Sequence, residues 1–132
     1  MASKTYIKTI ENKTEDTIVI ENGEDGNKRI EIIGFNNWSG DLVVPWIGGQ
    51  EEVWKALKIY VTGGHGNVWV FQDYWYPAHE NAIKYCVGKF SYKDAKEIPG
   101  NNRGGGNKRL LINVEDFEEN GKQTYVIKLE IA

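Results

Sequence analysis

Gln123-Thr-Tyr-Val-Ile-Lys-Leu-Glu-Ile131 decides the fold class. Tyr125, Ile127, Leu129 and Ile131 alternate with Thr124, Val126, Lys128 and Glu130. A period of two puts one set on each side of an extended chain, so this segment reads as an antiparallel strand with one buried face. Eight further runs carry strand signals: Tyr6 to Ile10, Thr17 to Glu21, Arg29 to Phe35, Asp41 to Trp46, Glu52 to Thr62, Asn67 to Asp73, Ala82 to Tyr92 and Lys108 to Val114. Glu52 to Thr62 is ambiguous. Val53, Leu57 and Tyr60 suit a helix, but the Ile-Tyr-Val-Thr ending before Gly63-Gly64-His65-Gly66 favours a strand. In Asn67 to Asp73, Val68, Val70 and Gln72 face one side, and Trp69, Phe71 and Asp73 the other.

Gly and Asn punctuate these runs. Gly23-Glu-Asp-Gly26 is a turn, Asn36-Asn37 a loop, and Pro99 to Asn107 the most mobile connection expected. No internal repeat is present, which argues against propellers and trefoils. The expectation is an all-β chain, with residues 1–132 forming a single-domain antiparallel β-sandwich of about 8–9 strands.

Composition narrows the function. The 132 residues carry a formal net charge of -3, which disfavours a nucleic-acid partner held by phosphate neutralisation. It also gives no general attraction to anionic membranes. The single cysteine, Cys86, excludes an internal disulfide. The amino terminus lacks an apolar signal core, so the chain is expected to be made in the cytosol without a signal peptide, and to act, if released, at target-cell membranes. The sequons Asn12-Lys-Thr14 and Asn37-Trp-Ser39 are then expected to carry no glycan.

No catalytic or metal-binding pattern stands out. Cys86 sits between Tyr85 and Val87 and reads as a small core hydrophobe, with no nucleophile and base signature linking it to His65 or His79. Neither histidine has a second ligand at zinc spacing, Glu21 to Asn27 lacks the order of a calcium loop, and the glycines around Arg103 to Gly106 lack the context of a phosphate loop. Hence no enzyme, metal or cofactor is expected.

The sequence is richest in rings at Trp69-Val-Phe-Gln-Asp-Tyr-Trp-Tyr-Pro-Ala-His-Glu-Asn81. Tyr and Trp pair a broad apolar face with a polar tip, which suits a surface that grips lipid head groups or sugars. Trp38 lies in turn-like sequence and Trp46 beside Pro45. Both are expected to join Tyr74, Trp75 and Tyr76 in one patch where strand ends cluster. The competing reading tucks each ring into the rim of the core.

Two of these stretches resemble a known family. Ile7-Lys-Thr-Ile-Glu-Asn-Lys-Thr-Glu-Asp-Thr-Ile-Val-Ile-Glu21 resembles the first hairpin of the aegerolysins and the Asn-Lys-Thr start of the actinoporins. Phe71 to Asn81 is similar to the aromatic-Asp-Pro-aromatic segment and downstream Asn of the aegerolysins. The likeness covers about a third of the chain. It departs at the longer spacing between Asp73 and Pro77, at Val44 to Gly49, and at the loop 100–106. It implies a small, non-enzymatic β-sandwich cytolysin that binds membrane lipids, often sphingolipids, and forms pores with a larger protein partner, as insecticidal members do. Asp73, Tyr74, Trp75, Tyr76 and Asn81 would then contact the head group, with Asp73 paired to a cationic amine. Trp38 and Trp46 enter on the patch argument alone. The alternative is a lectin that stacks sugars on the same rings, with Asp73, His79 and Asn81 as hydrogen-bond partners. A third reading is an interaction module with no small ligand.

Overall fold

A computed structural model describes residues 4–62, 66–73 and 81–132, without the side chains of Phe117 and residues 123–125. Among the described residues eleven strands form two sheets. The smaller sheet contains β1 (Thr5–Asn12), β4 (Asn37–Val43), β10 (Gly106–Glu119) and β11 (Lys122–Ile131), in the order β11-β10-β1-β4. The larger contains β2 (Ile18–Asn22), β3 (Lys28–Ile32), β6 (Leu57–Val61), β7 (Asn67–Asp73), β8 (Ile83–Val87) and β9 (Lys96–Glu97), in the order β3-β2-β6-β7-β8-β9. The two-residue β5 (Trp46–Ile47) pairs with β7.

The sheets pack face to face, so the chain is an all-β sandwich. Alternation puts Leu110 and Ile112 of β10, and Ile127, Leu129 and Ile131 of β11, on one side of the core, and an irregularity between Ile7 and Thr9 turns both Ile7 and Ile10 of β1 to the same side. Ile18 and Ile20 of β2, Leu57 and Ile59 of β6, and Val68 and Val70 of β7 meet them from the other. Each such side chain contributes roughly 1.5–3 kcal/mol by leaving water.

Several expectations are corrected. Among the described residues there are eleven strands rather than eight or nine, because Asp41 to Trp46 divides into β4 and β5 around Pro45 and the two-residue β9 carries no strand signal of its own. The sheet is not wholly antiparallel: β1 runs parallel to β10, and β5 to β7. The first half of Glu52 to Thr62 belongs to a 3-10 helix, Gln50–Lys55, which hands over to β6 at Ala56. A second 3-10 turn, Gly23–Asp25, occupies the predicted turn between β2 and β3.

The larger sheet carries a second, smaller core on its outer face. Phe71 and Cys86 pack there with Ile47, Ala56 and Phe90, partly covered by Trp69, Tyr92 and Val53. Cys86 is therefore the small hydrophobe its sequence context suggested. Among the described residues, no helix is long and apolar enough to cross a membrane.

Candidate functional site

The two ends of the sandwich differ. At one, the start of β1 meets the end of β7: Thr5 Oγ1 donates to Gln72 Oε1 at 2.7 Å, and the Gly105 N–H donates to Thr5 Oγ1 at 2.6 Å. This loop end also gathers β5, both 3-10 turns and residues 98–105. At the opposite end, Asn12 closes β1. Its Nδ2 donates to the carbonyls of Ile32 at 2.8 Å and Asp16 at 2.9 Å, while its Oδ1 accepts from the N–H of Thr14 at 2.9 Å. The Asn12-Lys-Thr14 sequon is thus a buried clamp, with Asn12 only 2% exposed. An amide spent on backbone groups of Asp16, Ile32, Ile33 and Thr14 leaves no place for a sugar.

Asp73 lies at the loop end of β7, 1% exposed. Its carboxylate accepts from Lys84 Nζ at 2.8 Å and from Tyr92 Oη at 2.7 Å. The expected pairing of Asp73 with a head-group amine is corrected here: the ammonium beside it is this chain's own Lys84, and burial leaves the carboxylate facing the second core. A buried carboxylate requires such partners, because desolvating it alone costs several kcal/mol. Asp73 instead anchors the end of β7 that precedes the aromatic segment in sequence. Its N–H donates to the Ala82 carbonyl at 2.9 Å, which fixes the far side of the same connection.

Asn81 stands at that second anchor. It adopts φ 57°, a left-handed conformation that Asn tolerates better than most residues. Its carbonyl accepts the Gly104 N–H at 2.9 Å. Its Oδ1 is buried with no donor among the described residues. Tyr74, Trp75, Tyr76, Pro77, His79 and Glu80 lie outside the described residues, as does His65.

The two isolated tryptophans part company. Trp46 is half-buried in β5, opposite Gln72, at the loop end. Trp38 lies in β4 opposite Ile10, five residues along β1 from Thr5, or about 16 Å at strand rise. It is half-buried against the main core. Trp38 and Trp46, expected to share one patch, therefore lie apart. Asn36, Asn37 and Gly40 around it read as a turn, but pairing with β1 makes this stretch a strand.

The segment expected to be mobile is pinned instead. Ile83 N–H donates to the Asn102 carbonyl at 2.7 Å, and Asn101 N–H to the Ile131 carbonyl at 2.8 Å. Gly100 has φ 103°, and a Cβ there would collide with the Ile131 carbonyl. A Cβ at Gly104 would collide with Gln72 Nε2. These glycines let the strap lie flat on the body rather than making it loose.

Sequence reasoning missed Trp54. It sits in the 3-10 helix Gln50–Lys55 and is 61% exposed. Acidic Glu51 and Glu52 in the first turn, with Lys55 in the last, were the signal for a helical turn. Trp54 and Trp69 border an open groove of about 550 Å³ on the outer face of the larger sheet, shared with Glu21, Asn27 and Lys58. Tyr60 donates to Glu21 Oε2 at 3.0 Å, and burial together with that acceptor pushes its phenol above its ordinary value.

Burial also pushes the Cys86 thiol above its ordinary value. Among the described residues, no three His, Cys, Asp or Glu side chains are grouped to hold a metal ion. Comparison with protein-family models, with curated proteins and with solved structures returned no match.

Proposed function

We propose that this chain is a non-enzymatic binding protein for membrane-lipid head groups, of the kind that serves as the small component of a two-component pore-forming toxin. The observation that supports it is the fixed anchoring of the residues on either side of the aromatic segment. Asp73, locked by Lys84 and Tyr92, and Ala82, bonded to the Asp73 N–H, hold the two sides of the connection that carries Tyr74, Trp75 and Tyr76. Trp46 flanks those anchors, and Trp54 stands exposed at the same end. Interfacial rings on a fixed base insert without a large ordering cost.

Asp73 has a positioning role in this reading, and the rings with Asn81 make the contact. His79 belongs to the same connection and enters as a polar contact. A larger protein would complete the pore.

Co-sedimentation with vesicles of phosphatidylcholine, with and without sphingomyelin, tests the proposal. The chain is expected to sediment with the sphingolipid vesicles in the presence of a mixture of free sugars. Release by sugar would make it a lectin, and absence of sedimentation from all vesicles would leave an interaction module.

A further inference from the structure

The groove on the outer face of the larger sheet is built where two 3-10 turns flank an open strip of sheet. Glu21 of β2, Lys58 of β6 and Trp69 of β7 are successive cross-strand partners, so they form a row along its floor. Trp54 and Asn27 stand at its edges.

Its parts are held in place. The Trp69 indole N–H donates to the Gly88 carbonyl at 2.8 Å, and the ring meets Phe90 edge-on at 6.1 Å. Lys58 Nζ lies 5.6 Å from the Trp69 ring centroid and 5.9 Å from that of Tyr60. One oxygen of Glu21 takes the Tyr60 hydroxyl, and the other has no hydrogen-bond partner among the described residues.

The lining selects among ligands. An apolar ligand would desolvate Glu21 and Lys58 with nothing to replace water. A simple anion would meet the Glu21 carboxylate, and a simple cation the Lys58 ammonium. A neutral ring with hydroxyls on its rim and C–H groups on its face satisfies all of them. Its hydroxyls donate to Glu21 and accept from Lys58, while its face rests on an indole. The volume falls within the range of small-molecule sites, roughly 300–1,000 Å³.

From this we propose that the groove is a carbohydrate site that takes one pyranose unit of a glycan, with Trp54 as stacking platform and Glu21, Asn27 and Lys58 as hydroxyl partners. Its lining includes none of the ring residues Tyr74, Trp75 and Tyr76, and the proposal does not depend on the lipid-binding reading.

Ligand-observed saturation-transfer NMR on the full chain tests this, with methyl glycosides of glucose, galactose, mannose and N-acetylglucosamine at millimolar concentration. At least one glycoside is expected to show transfer concentrated on the C–H protons of one ring face. Trp54→Ala and Glu21→Gln are each expected to weaken that binding at least tenfold, with the thermal midpoint kept within a few degrees because Trp54 is exposed. No transfer to any glycoside overturns the proposal, and so does transfer that survives both variants.

A second arm compares the bound sugar free and as a glycolipid in phosphatidylcholine vesicles. Equal affinity identifies a soluble-glycan site, and tighter vesicle binding identifies a glycolipid head group; both uphold the groove. Sphingomyelin vesicles carry no sugar. Binding to them with no glycoside signal overturns the groove alone, whereas a glycoside signal without sphingomyelin binding overturns the lipid reading alone.

Discussion

Asn12 holds its end of the sandwich with both ends of its amide. The side chain bonds Asp16, Ile32, Ile33 and Thr14, so Asn12→Ala strips partners from several buried backbone groups at once. The expected loss is roughly 2–3 kcal/mol, read as a lower urea midpoint with unchanged slope. Asp73 makes a different prediction. Removing one member of a buried ion pair costs about 3–5 kcal/mol, because the other charge is stranded, whereas removing both costs less. Asp73→Asn and Lys84→Met are each expected to destabilise strongly, and the double variant to be more stable than the sum of the two implies. A double-mutant cycle by urea unfolding measures that coupling. At this scale the sequence showed that Asp73 and Phe71 share a face. It did not show that Lys84, on the neighbouring strand, supplies the charge Asp73 needs. Nor did it show that Trp38 sits in a strand, because the β1 partner that makes it one lies 28 residues away.

The 3-10 helix Gln50–Lys55 is the element that local reasoning handled least well. Val53, Leu57 and Tyr60 gave a helical spacing, and the strand-like ending at Thr62 outweighed it, although the stretch holds one of each. The helix is tied down by Glu52, whose carboxylate accepts from Lys55 Nζ at 2.6 Å and from the Gly48 N–H at 2.8 Å. The Lys55 hydrogen bond, with that from Gly48, holds the Glu52 carboxyl below its ordinary value of 4.5, against the opposing effect of burial. A lowered folded-state pKa means the contribution is full above the unfolded value and lost as pH falls through the folded one. The turn is therefore expected to loosen below about pH 4.5. The Gly48 amide proton should shift in an NMR titration there, and Glu52→Gln should abolish the step. Asn67 to Asp73 was legible residue for residue, because alternation on a central strand with a core on each side leaves one register only.

Across the whole molecule, the all-β sandwich was legible from strand periodicity, since two half-apolar sheets have few ways to bury their faces. Which strands neighbour which was not. The parallel pairing of Thr5–Asn12 with Gly106–Ile112 joins stretches about a hundred residues apart, and no local signal encodes it. The groove escaped for the same reason, being assembled from three separate stretches of sequence, 21–27, 53–58 and Trp69. Net charge makes one prediction at this scale. With -3 overall and contact through rings, vesicle binding is expected to change less than about twofold between 50 and 500 mM salt. A steep fall in sedimentation over that range would assign the binding to charge.

The most direct test of where the molecule works is amide hydrogen exchange with and without sphingomyelin vesicles. Protection is expected at the loop end, over residues 44–55 and 73–83, with Ile33 to Trp38 unchanged. Protection confined to Ile33 to Trp38, where Ile33 is 63% and Phe35 73% exposed, would place the contact at the opposite end and contradict the proposed site.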